Sequence, residues 1–180
     1  MLNKTTLLAA AAVFCSLSPI AAQTKTKTIS TGHVVTFDVP EYMEATYGLN
    51  AASFFQYANV VKDVYSYAVE DAKSDLVLAE LKYASLKEYY DDFIKDFLTE
   101  EEKKNLTASK EFTKNGVKYI QSDVVYLNAE IEKNIYYSIT VAETPTYFYK
   151  ILSFTTADNS EGYKADFFQL ASSLKEVNCK

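Results

Sequence analysis

Residues 117–156 have the sequence VKYIQSDVVYLNAEIEKNIYYSITVAETPTYFYKILSFTT, which carries the strongest signal for the fold. Apolar and aromatic residues alternate with polar ones along it, at the two-residue period of a β-strand. Asn128 and the Thr144-Pro145 pair interrupt the alternation as turn residues do. The stretch therefore predicts three long consecutive strands, at Val117–Leu127, Glu130–Ala142 and Thr146–Thr156.

Shorter strands are predicted before this stretch. Asn115-Gly116 is the preferred pair of a two-residue hairpin turn, so a strand at Lys110–Thr113 should pair with the first long strand. Further upstream, alternating or β-rich runs predict three more strands, at His33–Val39, Ser53–Asn59 and Asp63–Asp71.

Two helices complete the pattern. Ser85 and Glu88 have the spacing of a capping box, and an apolar stripe follows at helical spacing through Leu98. A second stripe runs from Tyr163 to Leu174. The order β-β-β-α-β-β-β-β-α predicts an α+β fold, with an antiparallel sheet of about six to seven strands flanked by two main helices.

The N-terminal residues 1–22 have the pattern of a signal peptide, with cleavage expected after Ala22. Two alternatives are weaker. Acylation at Cys15 is disfavoured by the bulky Phe14, and a membrane span is disfavoured by the polar residues and Pro19 that interrupt the apolar run. We expect a flexible leader at 23–32, a single domain at 33–177 and a short tail at 178–180, in a secreted or periplasmic protein without a transmembrane span.

The charge of the chain excludes some partners. The formal net charge is −6, and removal of Lys4 with the signal peptide makes it −7. A net negative charge disfavours nucleic acids and anionic membrane surfaces. Cys179 is the one cysteine left in the mature chain; it is an incidental surface residue or the link of a disulfide-bonded dimer.

The order of several short motifs resembles the PsbP-like superfamily, including small exported bacterial proteins of the DcrB type. The motifs are Phe37-Asp38-Val39-Pro40, Ala68-Val69-Glu70-Asp71, Ser85–Tyr90, Phe112–Ile120, Tyr147–Thr155 and Ser172–Lys175. The resemblance covers residues 33–177. It implies a central antiparallel sheet flanked by helices, and a role as an accessory, adaptor or assembly factor. It supplies no functional residue that could be transferred to this chain.

Residues that could carry catalysis or bind a metal are sparse. His33 is the only histidine, which disfavours zinc and copper sites, and we expect no cofactor. The acidic cluster of Asp91, Asp92, Asp96 and Glu100–Glu102 would suit calcium by composition, but it lies on a predicted helix and fits a solvated face better. A hydrolase using His33 and Asp123 lacks a recognisable nucleophile and oxyanion site, so we expect a protein that is not an enzyme.

Tyrosine is unusually frequent, at 15 of 180 residues. Strand alternation places Ile120, Ile139 and Leu152 on a face packed against the helices, and tyrosines with small hydroxyl residues on the opposite face. The second face is the candidate binding surface, consisting of Tyr119, Asp123, Tyr136, Ser138, Tyr147 and Tyr149. Two alternatives stay open: cross-strand aromatic pairs that only stabilise the sheet, or a helix that covers this face and makes it core.

These patterns favour an exported, non-catalytic binding, adaptor or assembly-factor domain that recognises an extracytoplasmic protein in the cell envelope. A carrier of a small apolar ligand between the sheet and a helix is the alternative, and a hydrolase is the least favoured.

Overall fold

The computed structural model describes residues 23–97, 99 and 104–177 of the chain. The predicted signal peptide at 1–22, the tail at 178–180 and both cysteines lie outside these residues. The strands of the described part are β1 Thr26–Ser30, β2 Val35–Pro40, β3 Glu44–Ala45, β4 Phe55–Asn59, β5 Val64–Ala72, β6 Lys104–Leu106, β7 Lys110–Lys114, β8 Val117–Asn128, β9 Lys133–Glu143, β10 Tyr147–Thr156 and β11 Lys175–Glu176. The helices are α1 Lys73–Leu78, α2 Leu86–Asp96 and α3 Ser160–Ala171, the last preceded by a 3₁₀ turn at Ala157–Asn159.

The predicted α+β class with an antiparallel sheet is confirmed. The main sheet has eight strands in the order β3-β4-β5-β10-β9-β8-β6, and β7 also pairs with β8. The three long strands predicted at 117–156 are β8, β9 and β10, and every pairing in this sheet is antiparallel. The sheet exceeds the predicted six to seven strands because β3 and β6, of two and three residues, are too short to show a period.

The predicted Asn-Gly hairpin joins β7 to β8. Lys114 pairs with Val117, which leaves Asn115 and Gly116 as the two turn residues. Their φ angles are 53° and 81°, in the left-handed region that a type I′ turn requires at both central positions. This turn fixes the register of the first long strand.

A second, three-stranded sheet has the order β1-β2-β11. Its presence corrects the flexible leader predicted at 23–32, because Thr26–Ser30 pairs along its whole length with β2. The leader has almost no apolar residues, and only Ile29 packs against the core from β1. Backbone pairing holds this strand, with added support from the Thr28 hydroxyl, which donates to Asp38 at 2.6 Å. No apolar period is therefore present to reveal it.

The helices cover both faces of the main sheet. Helix α2 packs on one face, and α3 packs with the three-stranded sheet on the other. The predicted capping residue is confirmed, since the Ser85 hydroxyl accepts from the Glu88 amide at 3.2 Å. Helix α3 begins at Ser160, earlier than the predicted Tyr163. Within the described residues, none of the helices combines the length and the apolar character needed to cross a membrane.

Candidate functional site

The predicted tyrosine face lies in the core. Tyr119, Tyr136, Ser138 and Tyr149 are each 3% exposed or less. Tyr119 stacks on Phe112 at 4.9 Å between ring centroids, and Tyr136 lies parallel to Phe167 of α3. The prediction of a binding surface required this face to be exposed, and that expectation is wrong. The alternative, in which a helix covers the face, is supported.

The tyrosine face is buried because elements outside the three long strands also have apolar stripes. Alternation assigned the residues of β8, β9 and β10 to the correct two faces, since Ile120, Ile139 and Leu152 do pack on the side of α2. The stripes of β2 and α3 also need a surface to bury, and the tyrosine face is the surface available to them. Tyrosine suits such a layer because its ring is apolar.

Two residues of the predicted face stay partly accessible. Tyr147 is half-buried beside Tyr149, with 5.8 Å between their rings. Asp123 is half-buried and lines a cleft of about 430 Å³ with Tyr136, Lys164 and Phe168. Tyr119 lines a second cleft, of about 390 Å³, with Phe112 and Glu143. The face thus contributes openings at its edges rather than a broad exposed surface.

The geometry gives the hydrolase alternative no support. The Nδ1 atom of His33 lies 2.6 Å from Oε1 of Glu70, and its ring packs 4.9 Å from Phe54. Glu70 belongs to β5, whereas Asp123 belongs to β8, and strands β10 and β9 separate the two. His33 and Asp123 are not brought together.

A more suitable site lies on the other face, at the end of the sheet where β5 leads into α1. Here a cleft of about 510 Å³ opens between α2, the segment 76–83 and the sheet. We call it the acidic aromatic cleft. Its lining residues are Asp71, Leu76, Leu81, Tyr83, Tyr89, Asp92, Phe93, Asp96, Phe97 and Lys150. Its volume lies within the range of about 300–1,000 Å³ found for small-molecule sites.

The floor of the cleft is a network of three side chains. Asp71, near the end of β5, accepts a hydrogen bond from the Tyr89 hydroxyl of α2 and lies 2.8 Å from the ammonium of Lys150 on β10. Burial, together with the hydrogen bond to Asp71, raises the pKa of Tyr89 well above its ordinary value, so the phenol stays protonated. The network ties α2 to the two strands beneath it.

Aromatic rings form the walls. Tyr83 meets Tyr89 edge to face at 5.2 Å, and Phe93 lies 5.3 Å from Phe97. The Tyr83 hydroxyl donates to Asp92 at 2.6 Å. This hydrogen bond, with partial burial, raises the pKa of Tyr83 to about 12, so Tyr83 remains a donor at neutral pH.

The rim of the cleft is apolar and exposed. Helix α1 has no buried residue; its Leu76 lines the cleft, and Leu78, two residues further on, is 83% exposed. Leu81, in the loop that follows, lines the cleft and is 47% exposed. Exposed leucines beside a cleft of aromatic rings are typical of surfaces that bind other molecules.

Sequence reasoning missed this site. It assigned no element to residues 72–84, although the apolar residues Leu76, Val77, Leu78 and Leu81 in that segment had no predicted partner. It interpreted Asp92 and Asp96 as part of a solvated helix face. All three aspartates are exposed, in agreement with that interpretation: Asp91 forms an ion pair with Lys87, and Asp92 and Asp96 also line the open cleft. The residues Glu100–Glu102 of the same cluster lie outside the described part.

No protein-family model matches the sequence, and no curated protein matches it. Solved structures do match. The solution structure of cyanobacterial PsbP (CyanoP) from Synechocystis sp. PCC 6803 aligns with 89% of this chain and 97% of its own, with a TM-score of 0.57 and 15% identity. The crystal structure of LpqN, involved in cell envelope biogenesis of Mycobacterium tuberculosis, aligns with 84% of this chain and 90% of its own, with a TM-score of 0.60 and 9% identity.

At these identities the likeness concerns the fold. The match to CyanoP spans nearly the whole length of both chains, in agreement with the resemblance carried by the motifs between residues 33 and 177. The narrower resemblance to DcrB-type proteins stays a prediction. The chain has a PsbP-like fold.

Proposed function

We propose that this chain is an exported, non-catalytic binding domain of the cell envelope, which recognises a partner protein through the acidic aromatic cleft and its leucine rim. The observation that carries the proposal is exposed apolar chain at a cleft of aromatic rings: Leu81 lines the cleft at 47% exposure, and Leu78, three residues earlier on α1, is 83% exposed. Protein interfaces are enriched in aromatic residues at their centre, surrounded by a polar border. The cleft supplies the aromatic rings of such a centre, and its charged groups Asp71, Asp92, Asp96 and Lys150 supply polar contacts.

Export and envelope location are supported by two observations. The signal-peptide pattern at residues 1–22 supports passage across a membrane. LpqN, which has a similar fold, is involved in cell envelope biogenesis. A fold by itself does not determine a function, so the site carries the larger part of the proposal.

A second candidate function is transport of a small ligand, which the position of the cleft between the sheet and α2 favours. The lining gives this ligand a specific chemistry. Three carboxylates and one ammonium would be poorly matched by a purely apolar molecule, because their polar groups would lose water without gaining partners. The protein-partner proposal fits the exposed rim better.

The test is affinity capture from envelope extract with three forms of the exported chain. These are the wild type, a rim variant Leu78→Ser/Leu81→Ser, and a control variant Val60→Ser/Val61→Ser. The control removes two exposed apolar side chains, 75% and 98% accessible, from the β4–β5 turn. Both variants should melt within a few degrees of the wild type, since surface substitutions change stability by about 0.5 kcal/mol or less.

We expect one protein to be recovered with the wild type and the control and to be lost with the rim variant. Recovery with all three forms would place the binding surface elsewhere on the molecule. Failure to recover a protein with any form, together with a small molecule bound to the purified chain in native mass spectrometry, would replace the proposal with the carrier function.

A further inference from the structure

The acidic aromatic cleft also has features that specify its ligand. We infer that it receives a basic side chain, arginine or lysine, from an apolar segment of the partner protein. This inference rests on the proposed function and adds the chemistry of the ligand to it. Three observations carry it: the charges in the cleft, the rings around them and the apolar rim.

The charges in the cleft are unbalanced. Lys150 lies 2.8 Å from Asp71, so these two groups neutralise each other. Asp92 and Asp96 have no lysine within ion-pair distance among the described residues. They lie four positions apart on α2, a spacing at which like charges repel. A cation in the cleft would remove that repulsion.

The rings of the cleft already hold one cation. The ammonium of Lys150 lies 5.7 Å from the ring centroids of both Tyr89 and Phe93. Aromatic rings attract cations within about 6 Å through the negative charge of their faces. The remaining rings, Tyr83 and Phe97, line the same cleft and are not contacted by Lys150 in this way. The walls are thus suited to an incoming cation on an apolar stem.

A metal ion does not fit this arrangement. Divalent cations need several oxygen ligands that converge at about 2.0–2.6 Å. Within residues 23–97, 99 and 104–177, no three histidine, cysteine, aspartate or glutamate side chains are placed to hold a metal ion. One of the three aspartates, Asp71, is already engaged by Tyr89 and Lys150, which leaves Asp92 and Asp96 for an organic cation.

The rim defines what lies beside the cation. Leu76 and Leu81 line the opening and the exposed Leu78 lies between them in the chain, an apolar segment that matches a basic residue flanked by apolar neighbours. Arginine should be preferred to lysine, because a planar guanidinium stacks on rings and binds carboxylates through several donors at once. The formal net charge of −6 also favours the approach of a basic partner.

The experiment uses the full exported chain and a set of short peptides, with binding measured by isothermal titration calorimetry. The probes are acetylated and amidated pentapeptides, Leu-Ala-X-Ala-Leu, in which X is arginine, lysine, glutamine or glutamate. We expect the arginine peptide to bind at least about tenfold more tightly than the glutamine peptide, with lysine between them and no binding of the glutamate peptide. Affinity should fall as salt increases.

Two variants of the chain locate the site. Asp92→Asn/Asp96→Asn removes both carboxylates, while the asparagine at position 92 can still accept the hydrogen bond from Tyr83. We expect this variant to lower the affinity for the arginine peptide by about tenfold. Glu130→Gln/Glu132→Gln removes the same net charge from exposed positions in the β8–β9 turn, outside the cleft lining, and it should bind within about twofold of the wild type.

Each other result would overturn the inference. Equal binding of the arginine and glutamine peptides would show that the cleft selects apolar segments without regard to charge. The absence of arginine-peptide binding up to about 1 mM would show that no basic side chain is recognised. In both cases partner capture that depends on Leu78 and Leu81 would still support the proposed function, so the two failures can be told apart.

Discussion

The double substitution Tyr136→Ser/Tyr149→Ser is expected to unfold the protein. The two side chains are 3% and 0% exposed, and they fill the layer between the main sheet and α3. Truncation of a buried aromatic residue costs about 3–5 kcal/mol. Tyr136 pairs with Thr155 on β10, and Tyr149 lies six residues before Thr155, about 20 Å along that strand. At this separation the two losses of stability should add. Their sum, about 6–10 kcal/mol, exceeds the lower end of the range of about 5–15 kcal/mol that is typical for the stability of a domain.

Circular dichroism with thermal melting measures this effect. The matched control is Tyr136→Phe/Tyr149→Phe, which keeps both rings and removes only the hydroxyls; it should remain folded with a cooperative transition. A serine variant that melts within a few degrees of the wild type would show that the tyrosine face is exposed. That result would restore it as a possible binding surface.

The substitution Phe37→Ala is expected to lower stability by about 3–5 kcal/mol, because it empties the centre of the layer formed by the three-stranded sheet. Phe37 is fully buried, and its ring lies 4.7 Å from Phe55 and 6.4 Å from Phe54. The residue therefore joins β2 to the main sheet through aromatic contacts. For a domain of this size the loss corresponds to a fall in Tm of about 10–15 °C.

Thermal unfolding of Phe37→Ala beside Thr36→Ala tests this expectation. Thr36 is the preceding residue on β2 and is only half-buried, so its replacement should change Tm by no more than a few degrees. If the two variants melt together, the three-stranded sheet is not an integral part of the core, and the description of two covered faces is incorrect.

The long strands and α2 could be predicted from the sequence because each has a strong local signal. Residues 117–156 alternate over three strands, and Ser85 caps a helix with a continuous apolar stripe. Strand β1 could not be predicted, since it is held by backbone pairing and carries a single core residue, Ile29. Strands of two or three residues, such as β3 and β6, are too short for any periodicity to show.

The functional site could not be predicted from the sequence for a different reason. Alternation divides a strand into two faces, but it does not say which face other elements will cover. The tyrosines were correctly grouped and wrongly expected to be exposed. The acidic aromatic cleft brings Asp71 and Tyr83 together with Lys150, which lies far from both in the chain and reaches them because β5 pairs with β10.

Site-specific photocrosslinking in intact cells tests most directly the claim that the leucine rim and its cleft bind a partner protein. Benzoylphenylalanine would replace Leu78 in one form of the chain and Val61 in another; both side chains are largely exposed, at opposite ends of β5. We expect a discrete crosslinked protein from position 78 and none from position 61. A crosslink from position 61 alone, or none from either position, would contradict this claim.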